Sequence, residues 1–223
     1  MWSDAQSGGI TTQTPMGHSR TPLVFIVSGP SGCGKSTLVN KMLELPEMML
    51  SVSCTTRKPR ATEDPGKWYN FVCEQEFQGM VERGEFLEHA RVFGRHSYGT
   101  PRRWLQEARD KGEDLVLEID VQGATQVRQK LPDAISIFIL PPSREALEQR
   151  LRRRGQDDDE EIGRRLAQAS EEILAHARNY QYLVVNDELE RAGREVQAIA
   201  LAARSRTAFT SGAVQKVLKS FGG

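Results

Sequence analysis

A chain of 223 residues is long enough to bury a sizeable core as one domain carrying small inserted subdomains. Its 30 basic and 30 acidic residues cancel, which removes any general electrostatic argument for nucleic acid or an anionic membrane as partner, so phosphate recognition has to be local. Cys33, Cys54 and Cys73 show neither zinc-site spacing nor the even count of a disulfide framework and fit a reducing cytoplasm; no apolar run approaches the ~20 residues that span a bilayer, and no charged segment followed by an apolar core marks a secretory signal.

Taken in chain order, residues 1–21 are rich in Ser, Thr, Gly and Gln without an apolar period and read as a flexible extension. "LVFIV" (23–27) reads as a buried strand, and a helix is expected to start near Lys35. Residues 50–98 break the pattern: Arg, Thr, Pro and aromatics surround short extended segments such as "SVSC", "YNFV" and "FLEHARV", which predicts an inserted, partly antiparallel subdomain over 51–98. Three further buried strands follow, "LVLEI" (115–119), "AISIFIL" (134–140) and "YLVV" (182–185). "PSREALEQRLRRRG" reads as a helix capped by Ser143 and ended by Gly155. The next helix begins in "DDDEE", with Asp157 and Glu160 as a D-x-x-E start, and carries the stripe Ile162, Leu166, Ala169, Ile173 and Ala177. "LERAGREVQAIALAARS" supplies a last helix and 211–223 a tail. Strands alternating with helices predict an α/β fold with a mostly parallel central sheet flanked by helices.

The stretch "GPSGCGKST" satisfies G-x-x-x-x-G-K-[ST] through Gly29, Gly34, Lys35 and Ser36, after a strand and before a helix, where the mechanism of the motif requires it. Glycines allow close backbone approach, successive N–H groups form an anion-binding concavity, and the helix start adds its positive end. Gly29, Pro30, Ser31, Gly32, Cys33, Gly34, Lys35, Ser36 and Thr37 are therefore the expected cradle for a triphosphate, with Lys35 on its terminal phosphates and the Ser36 hydroxyl on magnesium. A plain tight turn would explain the glycines but not the Lys-Ser pair in this strand–helix setting. A Cys33 thiol near a positive helix end would also be open to oxidation. The motif indicates nucleoside triphosphate use without naming the acceptor.

"SVSCTTRKPR", together with "GPSGCGKST", "GKWYNFV", "FLEHA", "SYGT", "EIDVQGA", "FILPPS", "RLRRRGQ" and "YLVVND", resembles guanylate kinase, in order over about residues 22–205. The resemblance implies a P-loop kinase that transfers a phosphoryl group from ATP to GMP, and also to dGMP, with magnesium. It divides a domain over 22–210 into a core (22–50, 99–148 and 166–210), a GMP-binding subdomain (51–98) and a short helical lid (149–165). On the acceptor side it implies that Arg57 and Arg60, permanently charged planar donors, hold the monophosphate with the hydroxyls of Tyr69 and Tyr98. Glu88 would accept hydrogen bonds from the N1–H and amine of guanine, with Ser53 and Thr100 on the remaining polar atoms. Adenine lacks that donor pair, so AMP would leave a buried carboxylate unpaired. The chain departs from the family at "FGRHSYGT", where Ser97 stands in place of the first of two tyrosines.

Arg150 and Arg154 share a helix face at a spacing of four, and Arg165 follows the acidic turn; by resemblance these are lid arginines that offset charge during phosphoryl transfer. Arg152 and Arg153 read as solvated charges. Asp120 matches a family acid on the acceptor side, Glu118 stands where an Asp is common, and Asn186 matches an adenine-side position, although a strand-end turn would also suit it. His18, His89, His96 and His176 have no metal-ligand spacing. Two rival functions are a non-catalytic interaction module of the same fold, disfavoured by the intact Lys35, Ser36 and lid arginines, and a P-loop kinase for another acceptor, disfavoured by Glu88 with Ser53. The sequence does not fix the assembly state.

Overall fold

The computed structural model describes residues 21–59, 66–92, 94–155, 157–206 and 212–222. Its central sheet has five strands: β1 (Val24–Ser28), β2 (Met48–Leu50), β7 (Asp114–Glu118), β8 (Ile135–Leu140) and β9 (Tyr182–Val185). They lie in the order β2-β7-β1-β8-β9, every pairing parallel. Parallel strands need crossovers that cover both sheet faces, which is why β1, β7 and β8 are mostly apolar, their polar residues being Ser28, Asp114, Glu118 and Ser136. On one face Phe25, Val27, Val116, Ile137 and Ile139 pack against Leu38, Val39 and Met42 of α1 (Lys35–Leu43) and Ala192, Val196 and Ala200 of α7 (Leu189–Arg204). On the other, Ile26, Leu115, Leu117 and Phe138 meet Ala108 of α3 (Arg103–Lys111) and Ala124 and Val127 of α4 (Val121–Lys130).

The segment set apart in the sequence carries its own four-stranded sheet in the order β4-β3-β6-β5: β3 (Ser53–Thr55), β4 (Tyr69–Phe71), β5 (Phe86–Val92) and β6 (His96–Pro101). It is partly antiparallel as expected, β3 pairing parallel with β4 and antiparallel with β6, and β5 antiparallel with β6. The sheet ends at Pro101, so Thr100 belongs to it and not to the core stretch that was expected to start at 99. Side chains alternate across its two faces. One face is apolar: Cys54 and Phe86 pack with Phe77 of α2 (Glu74–Glu82), the two phenylalanine rings stacked at 4.7 Å. The other face carries Ser53, Thr55, Tyr69, Phe71, Glu88, Tyr98 and Thr100, all related by direct strand pairing.

The helix α5 (Arg144–Arg154) is capped by the Ser143 side chain and ends at Gly155 with φ 61°, as expected. The next, α6 (Asp159–His176), corrects the expected start: its cap is Asp158, whose carboxylate accepts from Glu161 N at 2.8 Å. Moving the cap one residue along leaves Asp157 able to pair with Arg165 at 3.0 Å. Within the expected tail, Gly212–Ser220 forms α8. Residues 1–20, and with them nearly all of the expected extension, lie outside the described residues, as does Arg60.

Opposite the loops at the carboxyl ends of the central strands, one buried carboxylate ties three elements together. Asp114 accepts from Leu23 N at 2.7 Å and from Arg204 Nε at 2.8 Å, and Arg204 also donates to Pro46 O at 2.7 Å. Asp114→Ala should cost about 3–5 kcal/mol, because it strands the arginine of a pair whose carboxylate is wholly buried. Thermal unfolding checks this; a midpoint within about 2 °C of wild type would show the clasp to be marginal.

Candidate active site

Between β1 and α1 the chain turns through Gly29, Gly32 and Gly34 with φ of 141°, 88° and 94°. The turn at Gly34 has a second constraint: a Cβ there would lie 2.2 Å from Nδ2 of Asn186. Asn186 follows β9, is buried, and donates through Nδ2 to Cys33 O at 2.8 Å. Arg150 donates to Cys33 O at 3.3 Å and to Asn186 O at 2.7 Å, so the end of β9 and the middle of α5 both brace the loop from behind. Lys35 Nζ donates to Gly29 O at 2.8 Å and Pro30 O at 3.1 Å, which holds the ammonium over the concavity. Arg165 reaches Ser31 Oγ at 3.2 Å, and its guanidinium pairs with Asp157 and Glu161. The Arg164 guanidinium, with Arg165 beside it, holds the Glu161 carboxyl down at about 2.

Cys33 is wholly buried and burial raises its thiol pKa, which disfavours the thiolate and works against the oxidation expected of a thiol at a helix start.

The Ser36 hydroxyl donates to Glu118 Oε1 at 2.8 Å. Oε2 of Glu118 is buried with no hydrogen-bond partner among the described residues. Burial raises the Glu118 pKa, against which the charges of Lys35 and Arg154 favour the ionised form. A hydroxyl beside a carboxylate with one free oxygen is a donor set suited to a hard divalent cation or to water bound to it. Two residues on, Asp120 caps α4, its carboxylate accepting from Gly123 N at 2.8 Å.

The second site is built on the polar face of the four-stranded sheet. Glu88 pairs directly with Thr100 across β5 and β6, and Thr100 Oγ1 donates to Glu88 Oε1 at 2.6 Å. Ser53 Oγ lies 3.2 Å from Thr100 Oγ1, which completes a row Ser53, Thr100, Glu88 across three strands. Glu88 is only 3% exposed, and burial pushes its pKa up to about 7, the Thr100 hydrogen bond opposing and the nearby Asp120 charge reinforcing the shift. Next along the same face, Arg57 Nε donates to Tyr98 OH at 3.2 Å, and its guanidinium stands 5.4 Å from the ring of Tyr69 and 5.5 Å from that of Phe71. Tyr69 and Tyr98 meet edge to face at 5.7 Å. Ser97 points elsewhere: it is buried and its backbone exchanges hydrogen bonds with Thr56, so the tyrosine that joins the cluster is Tyr98. Phe71 was not foreseen as part of this cluster, although the alternation in "YNF" places it on the same face as Tyr69.

The two sites share a wall. Glu118 touches Ser36, Asp120 caps α4, and a Cβ at Gly123 would lie 2.4 Å from Glu88 Oε2. Residues 118–123 thus run from the glycine-rich loop to the buried carboxylate of Glu88.

The family model described as guanylate kinase matches residues 20–203. The chain belongs to the guanylate kinase family. It is 51% identical over 184 residues to the guanylate kinase of Alkalilimnicola ehrlichii, covering 82% of this chain and 90% of that one. To the guanylate kinase of Koribacter versatilis it is 50% identical over 191 residues, covering 84% and 81%. Among solved structures it is similar to the guanylate kinase of Anaplasma phagocytophilum, with 35% identity, a TM-score of 0.75, and coverage of 90% of this chain and 95% of that chain. A guanylate kinase is a phosphotransferase, and the braced loop here carries Lys35 and Ser36 side by side at the start of α1.

Proposed function

We propose that this guanylate kinase carries out the ATP-dependent phosphorylation of GMP to GDP through two pockets joined by residues 118–123. The observation that carries the reading is that shared wall, with Ser36 at one end and the Glu88 carboxylate at the other. On the donor side, the main chain of 29–37 cradles the ATP phosphates, and Lys35 exchanges its two carbonyl partners for their terminal oxygens. Ser36 and Glu118 would hold magnesium, which when bound offsets charge on the ATP phosphates. Asn186 supports the adenine-side edge.

On the acceptor side, Glu88 accepts from guanine N1–H and its amine, Ser53 and Thr100 complete the base edge, and Asp120 stands beside them. Arg57, Tyr69 and Tyr98 hold the monophosphate, joined by Arg60. An already ionised oxygen of that monophosphate attacks the terminal phosphorus of ATP in line, the bond from that phosphorus to the bridging oxygen breaks and ADP leaves, so no general base is required. Arg154 and Arg165 offset the charge that spreads over the transferring oxygens, and Arg150 acts with them by bracing the loop. Residues 149–165 form the lid, and the acceptor subdomain runs from 51 to the end of β6 at Pro101; the two close to exclude water. dGMP, which presents the same base edge and monophosphate to these residues, is a second acceptor. The free cysteines suit the reducing cytoplasm.

A coupled assay of ADP release across GMP, dGMP, AMP, UMP and CMP tests the reading. Turnover with GMP and dGMP should exceed that with AMP by about 10⁴-fold in kcat/KM, the discrimination reached when a site's buried polar group is left unpaired by the wrong ligand. Comparable rates with AMP would overturn it.

A further inference from the structure

Helix α4 meets strand β5 at three positions. Gln126 Nε2 donates to His89 O at 2.7 Å while its Oε1 accepts from His89 N at 3.4 Å, and Lys130 Nζ donates to Leu87 O at 2.6 Å. Both main-chain neighbours of Glu88 are therefore held by side chains of one helix. The third position is Gly123. Its spacing from Gln126 and Lys130 puts all three on the same side of α4. A Cβ built on Gly123 would stand 2.4 Å from Oε2 and 2.9 Å from Cδ of Glu88. The carboxylate occupies the volume that any larger residue of the helix would fill. Glycine lowers helix stability by ~1 kcal/mol relative to alanine, so α4 gives up propensity at the one turn where the carboxylate lies against it.

We infer that α4 sets how far the Glu88 carboxylate reaches into the acceptor pocket, with Gly123 a specificity-determining position and Gln126 and Lys130 positioning residues that hold β5 in place. The inference rests on the reading of Glu88 as the acceptor for guanine. A methyl group at Gly123 pushes the carboxylate away from α4 and out of register with the two donors of the base; it leaves the phosphate loop untouched.

The test is a double-mutant cycle of Gly123→Ala with Glu88→Asp, read as kcat/KM for GMP and AMP, KM for ATP and thermal midpoint. Gly123→Ala should raise KM for GMP by about 10-fold or more, narrow the GMP:AMP ratio, and leave KM for ATP unchanged. Glu88→Asp withdraws the carboxylate by one methylene and makes room for the methyl, so the double variant should retain at least about 5-fold more GMP activity than the product of the single losses. Additive losses, or an unchanged GMP:AMP ratio in Gly123→Ala, would overturn the inference. Should that variant fail to fold, the cycle of Gln126→Ala with Glu88→Asp asks the same question, and additivity there has the same meaning. If Glu88→Asp and Glu88→Gln both leave GMP use unchanged, it is the reading of Glu88 itself that fails; if they impair it while Gly123→Ala is neutral, only the present inference does.

Discussion

Lys35→Ala is expected to lower kcat for GMP phosphorylation by at least about 10³-fold, as removal of a preorganised charge from the transferring phosphoryl group does. The fold should be nearly indifferent. The ammonium donates to the carbonyls of Gly29 and Pro30 from a part-buried position, and such bonds contribute on the order of 1 kcal/mol against water. That corresponds to a fall in thermal midpoint of roughly 2–4 °C for a domain of this size. Single-turnover rates with saturating ATP and GMP, measured beside a melting curve, separate the two effects. Residual activity above a tenth of wild type would assign the charge neutralisation to the arginines of α5 and α6 instead.

The second large effect is expected at Glu88, where stability and function pull apart. Folding raises the pKa of this carboxyl from 4.5 to about 7. Below pH ~4.5 the group is protonated in folded and unfolded chains alike and adds nothing to the balance. As pH rises from about 4.5 to 7 the unfolded chain ionises while the folded one keeps its proton, so stability is lost across that window and levels off once the folded group ionises too. The loss is complete by pH 8, on the order of 3 kcal/mol at 1.36 kcal/mol per unit. Glu88→Gln removes the penalty, so at pH 8 the unliganded variant should melt several degrees above wild type, and at pH 4.5 the two should coincide. GMP use should move the other way, with kcat/KM down about 10²-fold or more because an amide cannot accept from both guanine donors. Wild-type kcat/KM for GMP should also fall as pH drops through 7. The variant should keep only the limb owed to the substrate phosphate, which titrates near pH 6. Equal melting temperatures at pH 8, or superimposable pH profiles, would show that the carboxyl carries no such cost.

The donor side was legible because its motif is contiguous: one loop supplies glycines, lysine and serine, and nearby sequence sets their geometry. Four of the five central strands showed for a related reason, being mostly apolar over four or more residues. The fifth, Met48–Leu50, is too short to display a period, and its place beside β7 comes from pairing, not composition. On the acceptor side, resemblance nominated Ser53, Glu88 and Thr100, but only cross-strand pairing assembles them into a row. The bracing of the phosphate loop by Arg150 and Asn186 spans 117 and 153 residues of chain and leaves no local trace. Gly123 was equally silent. A glycine three residues after a helix cap is a weak sign by itself, and its meaning comes from a carboxylate 35 positions away. Among three consecutive aspartates, which one caps α6 is decided by the reach of Asp157 to Arg165, a matter of tertiary geometry.

The attachment of Arg150 to the carbonyls of Cys33 and Asn186 has a mechanical side. It pins α5 to the core one turn before the helix ends, so the proposed lid would pivot about this point, with Arg154 one turn beyond it. An arm of one turn is about 5 Å long. Leverage that short would deliver a guanidinium by small angles and leave the shape of the proposed triphosphate cradle unchanged.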